Sequence, residues 1–289
     1  MPRVDVEGVG IAYEIIGEGP RSAIITPGGR FSKDTPGVRA LALKLAEGGF
    51  RTIIWDRPNC GESDVSLSGA SESQMHADVM AQLLRTLDMA PAFVIGGSAG
   101  ARVSLLVAVQ HPDVVERLAV LWLCGGALCL AFLATYYCHD SMLAAAQGDM
   151  AAVTELPVWK EAIERNPRNR EILLKQDTRA FIEKMKAWGA ALAAPGDQLV
   201  PGFSASDLAT LKKMPVMVYR GGESDVHHPR ETSEALHRAI PGALLVEPPW
   251  GDREWLHRLR AEKEGEGFFQ NWPLLAPQLL AFATSEGAG

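Results

Sequence analysis

The chain has 289 residues, of which 47% are hydrophobic and 22% are charged, and its formal net charge is −7. This length and apolar content suffice for one large domain, or one domain with an insertion, and exclude a mainly disordered chain. An acidic balance without clustered Lys and Arg argues against nucleic acid as a partner, because phosphate binding requires such clusters.

The first part of the chain alternates short apolar runs with amphipathic helical patterns. The alternation over 4–19 predicts a hairpin of two strands, and continuous apolar runs predict further strands that begin at Arg21, Phe50, Pro91 and Arg117. Helical spacing with glycine or capping residues at the ends predicts helices over 35–49, 71–89 and 98–112. These βαβ units predict an α/β fold with a mostly parallel, doubly wound sheet.

From Leu118 to Cys138 the sequence carries no charged residue, and this stretch reaches the length of a membrane span. The pair Gly125–Gly126 interrupts it, so we interpret the stretch as a buried strand, a turn and an apolar helix. The N-terminus has early acidic residues and no apolar core, so we expect no signal peptide, no membrane span and a cytoplasmic protein.

After Leu128 the pattern changes. Up to about Asp207 we find helical patterns but no convincing strand, which predicts a helical insertion after the sixth strand. A strand and its loop over 214–225, a helix over 229–240, a strand over 243–249 and a closing helix over 271–283 follow. The predicted division is therefore a core at 1–127, a helical cap at 128–207 and the rest of the core at 208–289.

The stretch Gly96-Gly97-Ser98-Ala99-Gly100 lies between a predicted strand and a predicted helix. A G-x-S-x-G pattern in this context is typical of a nucleophile elbow, in which a sharp turn exposes the serine at a helix N-terminus. The alternative is a glycine-rich turn that binds a phosphate or nothing. The pattern lacks the spacing of either common nucleotide-binding loop.

With its elbow, the chain resembles the α/β-hydrolase superfamily, in the group with a helical cap. The resemblance also rests on "ITPGGR", where the family usually has His-Gly, on "WDRPNCGESD" and on the acid loop "VMVYRGGESDVHHP". It implies Ser98 as nucleophile and Asp225 as the orienting acid, with Glu223 as the weaker alternative. It also implies an oxyanion hole made by Ala99 and either Gly29 or Arg30.

The base is harder to assign. The family's histidine follows the last strand, where this chain reads "EPPWGDREWLH", with Asp252 in the expected place and His257 five residues later. We expect His257 to be the base, and the alternative is an exposed helical histidine. His227 and His228 share the loop of Asp225, so we expect them to contact Asp225 but not to reach Ser98 as well.

A cap over the sheet predicts an apolar chamber for a hydrophobic small molecule. Arg30 is either a partner for a substrate carboxylate or a solvated arginine. The aromatic residues that either line the chamber or pack in the core are Phe132, Tyr136, Tyr137, Trp159 and Trp188. We expect no metal, because adjacent histidines such as His227 and His228 tend to point apart, and no cofactor.

The leading hypothesis is a serine hydrolase that cleaves a carboxylic ester or lactone through an acyl-enzyme. A hydrolase of C–C bonds in ring-cleavage products is the alternative, with Arg30 holding the substrate carboxylate. Cofactor-free haloperoxidase chemistry uses the same triad, and a ligand-binding protein without activity is favoured if His257 does not reach Ser98. The sequence leaves open whether the protein is a homodimer.

Overall fold

The computed structural model describes residues 2–193, 198, 202–223, 225–251, 260 and 269–285. This part of the chain forms one sheet of eight strands in the order β1-β2-β4-β3-β5-β6-β7-β8. β1 and β2 pair antiparallel with their neighbours, and the other pairs are parallel. The strands are Arg3–Val6, Val9–Ile16, Arg21–Thr26, Phe50–Trp55, Ala92–Ser98, Val115–Leu123, Val216–Tyr219 and Leu244–Val246, numbered β1 to β8 in chain order.

Helices connect the parallel strands and fill the segment between β6 and β7. Those outside this segment are α1 (Val38–Glu47), α2 (Glu72–Thr86), α3 (Ala99–Gln110), α10 (Arg230–Ala239) and α11 (Ala276–Thr284). Those inside it are α4 (Ala127–Ala134), which continues into a π-helical turn, α5 (Asp140–Thr154), α6 (Pro157–Arg165), α7 (Arg168–Leu174), α8 (Thr178–Ala190) and α9 (Ala205–Ala209). The predicted α/β fold class is confirmed; the exact domain boundaries stay a prediction.

The sheet is buried on both faces because successive residues of its central strands are apolar. In β3, Ile24 joins the core under α2, α3 and α10, and Ile25 joins the core under α1 and α11. A strand that is buried on both sides reads as a continuous apolar run, which is the pattern visible in the sequence. A third apolar cluster, which includes Trp159, Phe181 and Trp188, holds the helices between β6 and β7 together.

The uncharged stretch from Leu118 to Cys138 forms the end of β6, a turn at Gly125–Gly126 and α4. This confirms the interpretation as strand, turn and apolar helix. Across the residues that the structure describes, no helix combines the length and the hydropathy needed to cross a bilayer.

A buried carboxylate joins the N-terminal hairpin to the helical segment. Asp64 accepts hydrogen bonds from the Arg3 guanidinium, from the backbone N–H of Gly10 at 2.9 Å and from Asn166 Nδ2 at 3.0 Å. Burial alone would raise the pKa of the Asp64 carboxyl, but these hydrogen bonds and the charge of Arg3 outweigh it and lower the pKa below its usual value. The ionised carboxylate therefore stabilises the folded chain.

We expect Asp64→Asn to lower the free energy of unfolding at pH 7 by about 2 kcal/mol, because three donors lose a charged acceptor. The folded pKa is depressed, so this contribution is complete above the unfolded value of about 4 and disappears as the pH falls through the folded pKa. In urea unfolding curves, the difference in the free energy of unfolding between the wild type and Asp64→Asn should therefore shrink from pH 5 toward pH 2. Asp113→Asn is the control, since its exposed pair with Arg85 contributes little. A difference that is constant with pH would contradict the assignment.

Candidate active site

Ser98 is the last residue of β5, and α3 begins at Ala99. Its backbone angles are φ 57° and ψ −118°, which is an unfavourable region for a residue with a side chain. The strained turn reverses the chain between strand and helix, so the half-buried hydroxyl stands at the carboxyl edge of the sheet, beside the N-terminus of α3. There the partial positive charge of the helix favours a developing oxyanion.

The glycines of the G-x-S-x-G pattern allow this turn to close. A side chain at Gly96 would collide with the backbone carbonyl oxygen of Gly100 and with Ser104 Oγ, and one at Gly100 would collide with the carbonyl oxygens of Thr26 and Pro27. The helix can therefore lie directly against the ends of β5 and β3 only because both positions lack a Cβ atom.

A hydrogen-bonded chain of three side chains runs from Ser98 into the loop after β7. The Oγ of Ser98 lies 2.7 Å from Nε2 of His228, and Nδ1 of His228 lies 2.7 Å from Oδ2 of Asp225. Asp225 is 7% exposed and His228 is 4% exposed. When the Nδ1–H group donates to the carboxylate, Nε2 keeps a lone pair that can accept the serine proton.

The expectation that His228 cannot contact both Asp225 and Ser98 was wrong. The second carboxylate oxygen of Asp225, Oδ1, accepts the backbone N–H groups of His227 at 3.0 Å and His228 at 3.1 Å, which winds the loop into a tight turn. The His228 ring consequently folds back over Oδ2. The carbonyl of His227 accepts the N–H of Gly125 at 3.4 Å, so the loop is also attached to the end of β6. An Asp-x-x-His spacing in a strand-to-helix loop is the sequence signal that would have indicated this arrangement.

The other histidines considered from the sequence occupy different places. His257 and Asp252 lie outside the described residues. His227 lines the same cavity as His228, with the two ring centroids 6.3 Å apart, and its ring contacts Phe132. His237 lies in α10. Within the part of the chain that the structure describes, the side chain hydrogen-bonded to Ser98 Oγ is that of His228.

The loop after β3 brings backbone donors to the nucleophile. Gly28 lies so close to Ser98 that an added Cβ atom would come within 2.7 Å of the serine Cβ and 3.2 Å of its Oγ. Arg57 Nη2 donates to the carbonyls of Gly28 at 3.2 Å and Gly29 at 2.6 Å, and the N–H of Phe31 also donates to Gly28 at 3.3 Å. Among the hydrogen bonds of the described residues, none uses the N–H group of Gly29 or Arg30, so both remain candidates for the oxyanion donor beside that of Ala99.

We expect Gly28→Ala to lower kcat on an ester by about 10- to 100-fold with a smaller change in KM, because the displaced loop misplaces an oxyanion donor. Steady-state kinetics with 4-nitrophenyl butyrate measure this. Gly148→Ala serves as the control, since its added methyl group would contact Ala152 in the helical segment. Unchanged kcat in Gly28→Ala would remove this loop from the oxyanion hole.

A cavity of about 500 Å³ opens in front of Ser98 and His228, and we call it the main cavity. Four of the residues predicted from the sequence line it, namely Arg30, Phe132, Tyr136 and Tyr137. Trp188 instead lines a second cavity of about 220 Å³ behind Gly29. Trp159 is absent from the described linings of both, which agrees with the alternative that it packs in the core. Its ring is fully buried among the helices, where Nε1–H donates to Ser141 Oγ at 3.0 Å.

The Arg30 guanidinium is neither exposed to solvent nor free to bind a substrate carboxylate. Its Nη2 pairs with Glu72 at 2.8 Å, its Nη1 donates to the carbonyl of Val158 at 3.2 Å, and its guanidinium lies 4.1 Å from the ring centroid of Trp159. Burial would raise the pKa of the Glu72 carboxyl, but the charge of Arg30 and other neighbours lowers it, so Glu72 stays ionised and neutralises Arg30. A substrate carboxylate would have to displace Glu72 to bind Arg30.

The cysteines near the main cavity are unsuited to replace Ser98 as nucleophile. Cys124 and Cys129 line it as free, buried thiols. Burial raises the pKa of both thiols, that of Cys129 to about 12, so they stay protonated at neutral pH.

The comparisons with known proteins agree with this geometry. Residues 31–123 match the family described as alpha/beta hydrolase fold. The 2-hydroxy-6-oxononadienedioate/2-hydroxy-6-oxononatrienedioate hydrolase of Burkholderia vietnamiensis (strain G4 / LMG 22486) is 36% identical over 77 residues, which are 27% of this chain and 27% of that protein. The alignments cover well under half of the length of the curated relatives that the chain matches.

Two solved structures show the likeness over the whole chain. MGS-M2, an alpha/beta hydrolase enzyme from a Medee basin deep-sea metagenome library, superposes with a TM-score of 0.63 at 17% identity and covers 100% of this chain and 99% of its own. The enol-lactonase from Burkholderia xenovorans LB400 gives a TM-score of 0.60 at 20% identity, over 98% of this chain and 100% of its own. With the sheet order and the match over 31–123, these findings show that the chain has the α/β-hydrolase fold.

Proposed function

We propose that the protein is a serine hydrolase that cleaves a carboxylic ester or lactone of a hydrophobic small molecule. The observation that carries this proposal is the hydrogen-bonded chain from Ser98 through His228 to Asp225, with 2.7 Å at each step. A serine hydroxyl is a weak nucleophile at neutral pH, and an imidazole oriented by a carboxylate is the arrangement that activates it.

In the proposed reaction, Ser98 Oγ attacks the substrate carbonyl carbon while Nε2 of His228 takes the hydroxyl proton. Asp225 stabilises the imidazolium that forms, because its Oδ2 accepts the Nδ1–H group. The oxyanion is bound by the N–H of Ala99 and by that of Gly29 or Arg30.

His228 then gives its proton to the leaving oxygen, the C–O bond breaks, and an acyl-enzyme remains on Ser98. The leaving group must lie beside His228 to receive that proton, and His228 borders the main cavity. Water attacks the acyl-enzyme with His228 again as base, which releases the acid and restores Ser98. The helices between β6 and β7 serve in this proposal as the cap that covers an apolar substrate, since Phe132, Tyr136 and Tyr137 come from this segment.

A C–C bond hydrolase is the second candidate, because the Burkholderia vietnamiensis relative is named as a dienedioate hydrolase. This candidate needs Arg30 to hold the substrate carboxylate, and the ion pair between Arg30 and Glu72 argues against that role. A ligand-binding protein without activity is the alternative if His257 does not reach Ser98, and His257 lies outside the described residues. The contact of His228 with Ser98 supports a catalytic role without His257. A cytoplasmic location stays a prediction, and whether the protein is a homodimer stays open.

Labelling with a fluorophosphonate probe tests the nucleophile. We expect the wild type to be labelled, Ser98→Ala to be unlabelled, and Ser104→Ala to be labelled like the wild type, since Ser104 lies buried in α3, the helix that follows Ser98. An unlabelled wild type would contradict the serine hydrolase. A panel of esters, lactones and C–C ring-cleavage products then distinguishes the substrate classes, because the probe does not discriminate leaving groups.

A further inference from the structure

The cavity of about 220 Å³ behind Gly29, which we call the side chamber, shares Gly29 and Tyr137 with the main cavity. The N-terminal residues of α2 and α3 form part of its wall. One of them is Ala99, the proposed oxyanion donor, and another is Arg102, one helical turn after Ser98. The side chamber thus begins where the carbonyl of a bound acyl group would lie.

Arg102 is a buried cation with no hydrogen-bond or ion-pair partner in the part of the chain that the structure describes. Its side chain lines the side chamber, the residue is 5% exposed, and its Nε atom is buried without a hydrogen bond. Among the hydrogen bonds and ion pairs of the described residues, none involves the guanidinium of Arg102. Arginines elsewhere in the site are engaged, since Arg57 donates to the carbonyls of Gly28 and Gly29, and Arg30 pairs with Glu72.

The described residues that line the side chamber carry more positive than negative charge. The one carboxylate among its described lining residues is Glu72, which Arg30 already neutralises. His76 adds no charge at neutral pH, because burial lowers its pKa to about 3. Arg57 and Arg102 therefore leave an excess of positive charge, which the N-termini of α2 and α3 increase.

The charge of Arg102 also acts on the main cavity. Burial raises the pKa of the Cys124 and Cys129 thiols there, and Arg102 is among the groups that oppose this rise. A buried cation without a counterion costs folding free energy, so an anionic ligand that pairs with it would recover part of that cost.

We propose that Arg102 binds a carboxylate on the acyl part of the substrate, so that the preferred substrate is an ester or lactone whose acyl group carries a second acid. This inference rests on the proposed function. The acyl carbonyl lies at Ala99 and Gly29, both of which border the side chamber, and the leaving group lies at His228, which borders the main cavity. A substituent on the acyl chain is therefore the part of the substrate that reaches Arg102.

Two esters with the same leaving group test this: the mono-4-nitrophenyl ester of glutaric acid, and 4-nitrophenyl valerate, which has a methyl group in place of the acid. We expect the wild type to prefer the glutarate ester in kcat/KM, and Arg102→Met to lower that preference by about 10- to 100-fold, as for a lost charge-assisted hydrogen bond. Arg102→Lys should keep part of the preference, which is measured as the ratio of kcat/KM for the glutarate ester to kcat/KM for the valerate ester.

Stability gives a second readout. If Arg102 served packing alone, Arg102→Met would lower the melting temperature or leave it unchanged. If the guanidinium waits for an anion, its removal should raise the melting temperature of the free protein. Arg85→Met is the control, because Arg85 is a partly exposed arginine of α2 that pairs with Asp113. It should change neither the preference nor the stability by much.

The outcomes separate this inference from the proposed function. Hydrolysis of both esters with the same preference in wild type and Arg102→Met would overturn the role of Arg102 and leave the serine hydrolase standing. Failure to hydrolyse either ester, together with an unlabelled wild type, would overturn the proposed function. In that case the binding of glutarate to Ser98→Ala, measured by calorimetry with and without Arg102→Met, tests the subsite. Binding that is lost in Arg102→Met supports the role of Arg102. Equal binding by both variants, or no binding by either, contradicts that role.

Discussion

Replacing His228 by alanine is expected to lower kcat on an ester by about 10³-fold or more, with a small change in KM. Nε2 of His228 lies 2.7 Å from Ser98 Oγ, so without this ring the hydroxyl has no base at that position. Steady-state kinetics measure the loss, and the rate of fluorophosphonate labelling should fall in parallel because it depends on the same proton transfer.

Two matched variants make this prediction specific. His227→Ala removes the neighbouring ring of the same loop, which borders the main cavity, so we expect a change mainly in KM. His257→Ala removes the histidine that the sequence analysis expects to be the base, and we expect most of the activity to remain. A loss in His257→Ala as large as that in His228→Ala would show that His228 is not the sole base.

Asp225→Asn is expected to lower kcat by about 10⁴-fold while the fold is retained. The amide oxygen of asparagine can still accept the N–H groups of His227 and His228, so the turn should persist. The amide nitrogen, however, would face Nδ1 of His228 as a donor. The imidazole would then carry its proton on Nε2, where it cannot accept the proton of Ser98.

Glu223→Gln is the control for this change, because Glu223 was the alternative acid in the same loop. Its side chain is 72% exposed and pairs with Arg230 at 3.1 Å, so we expect kcat within about twofold of the wild type. If Glu223→Gln lost as much activity as Asp225→Asn, or if Asp225→Asn lost its fold, the assignment of Asp225 as the orienting acid would fail. Circular dichroism spectra of both variants provide the check on folding.

Much of the fold could be predicted because its signals are local. The parallel strands are buried on both faces, so each reads as an apolar run, and the connecting helices begin and end at capping residues and glycines. The turn at Ser98 was predictable for the same reason, because the two glycines that it requires, Gly96 and Gly100, lie within one short segment of the sequence. Asp225 lies in the loop after β7, so the order of strands was enough to bring it toward the same edge of the sheet.

The side-chain partners of the site residues were harder to predict from the sequence. His228 was rejected on the argument that a residue three positions from Asp225 could not also reach Ser98, and the two oxygens of the Asp225 carboxylate show why it can. Arg30 was singled out for a substrate carboxylate, and its pairing with Glu72, 42 residues away, leaves Arg102 as the unpaired arginine among the described residues of the site.

The sequence by itself determined the α/β fold, the strained turn that exposes Ser98 and the loop that carries Asp225. These features depend on hydrophobic period, glycine positions and strand order, all of which are written within short segments. Only the tertiary structure decided which histidine contacts Ser98, which arginine is neutralised and which is left without a counterion. Such choices depend on distances between side chains far apart in the chain, and a difference of a few ångströms decides whether a hydrogen bond forms.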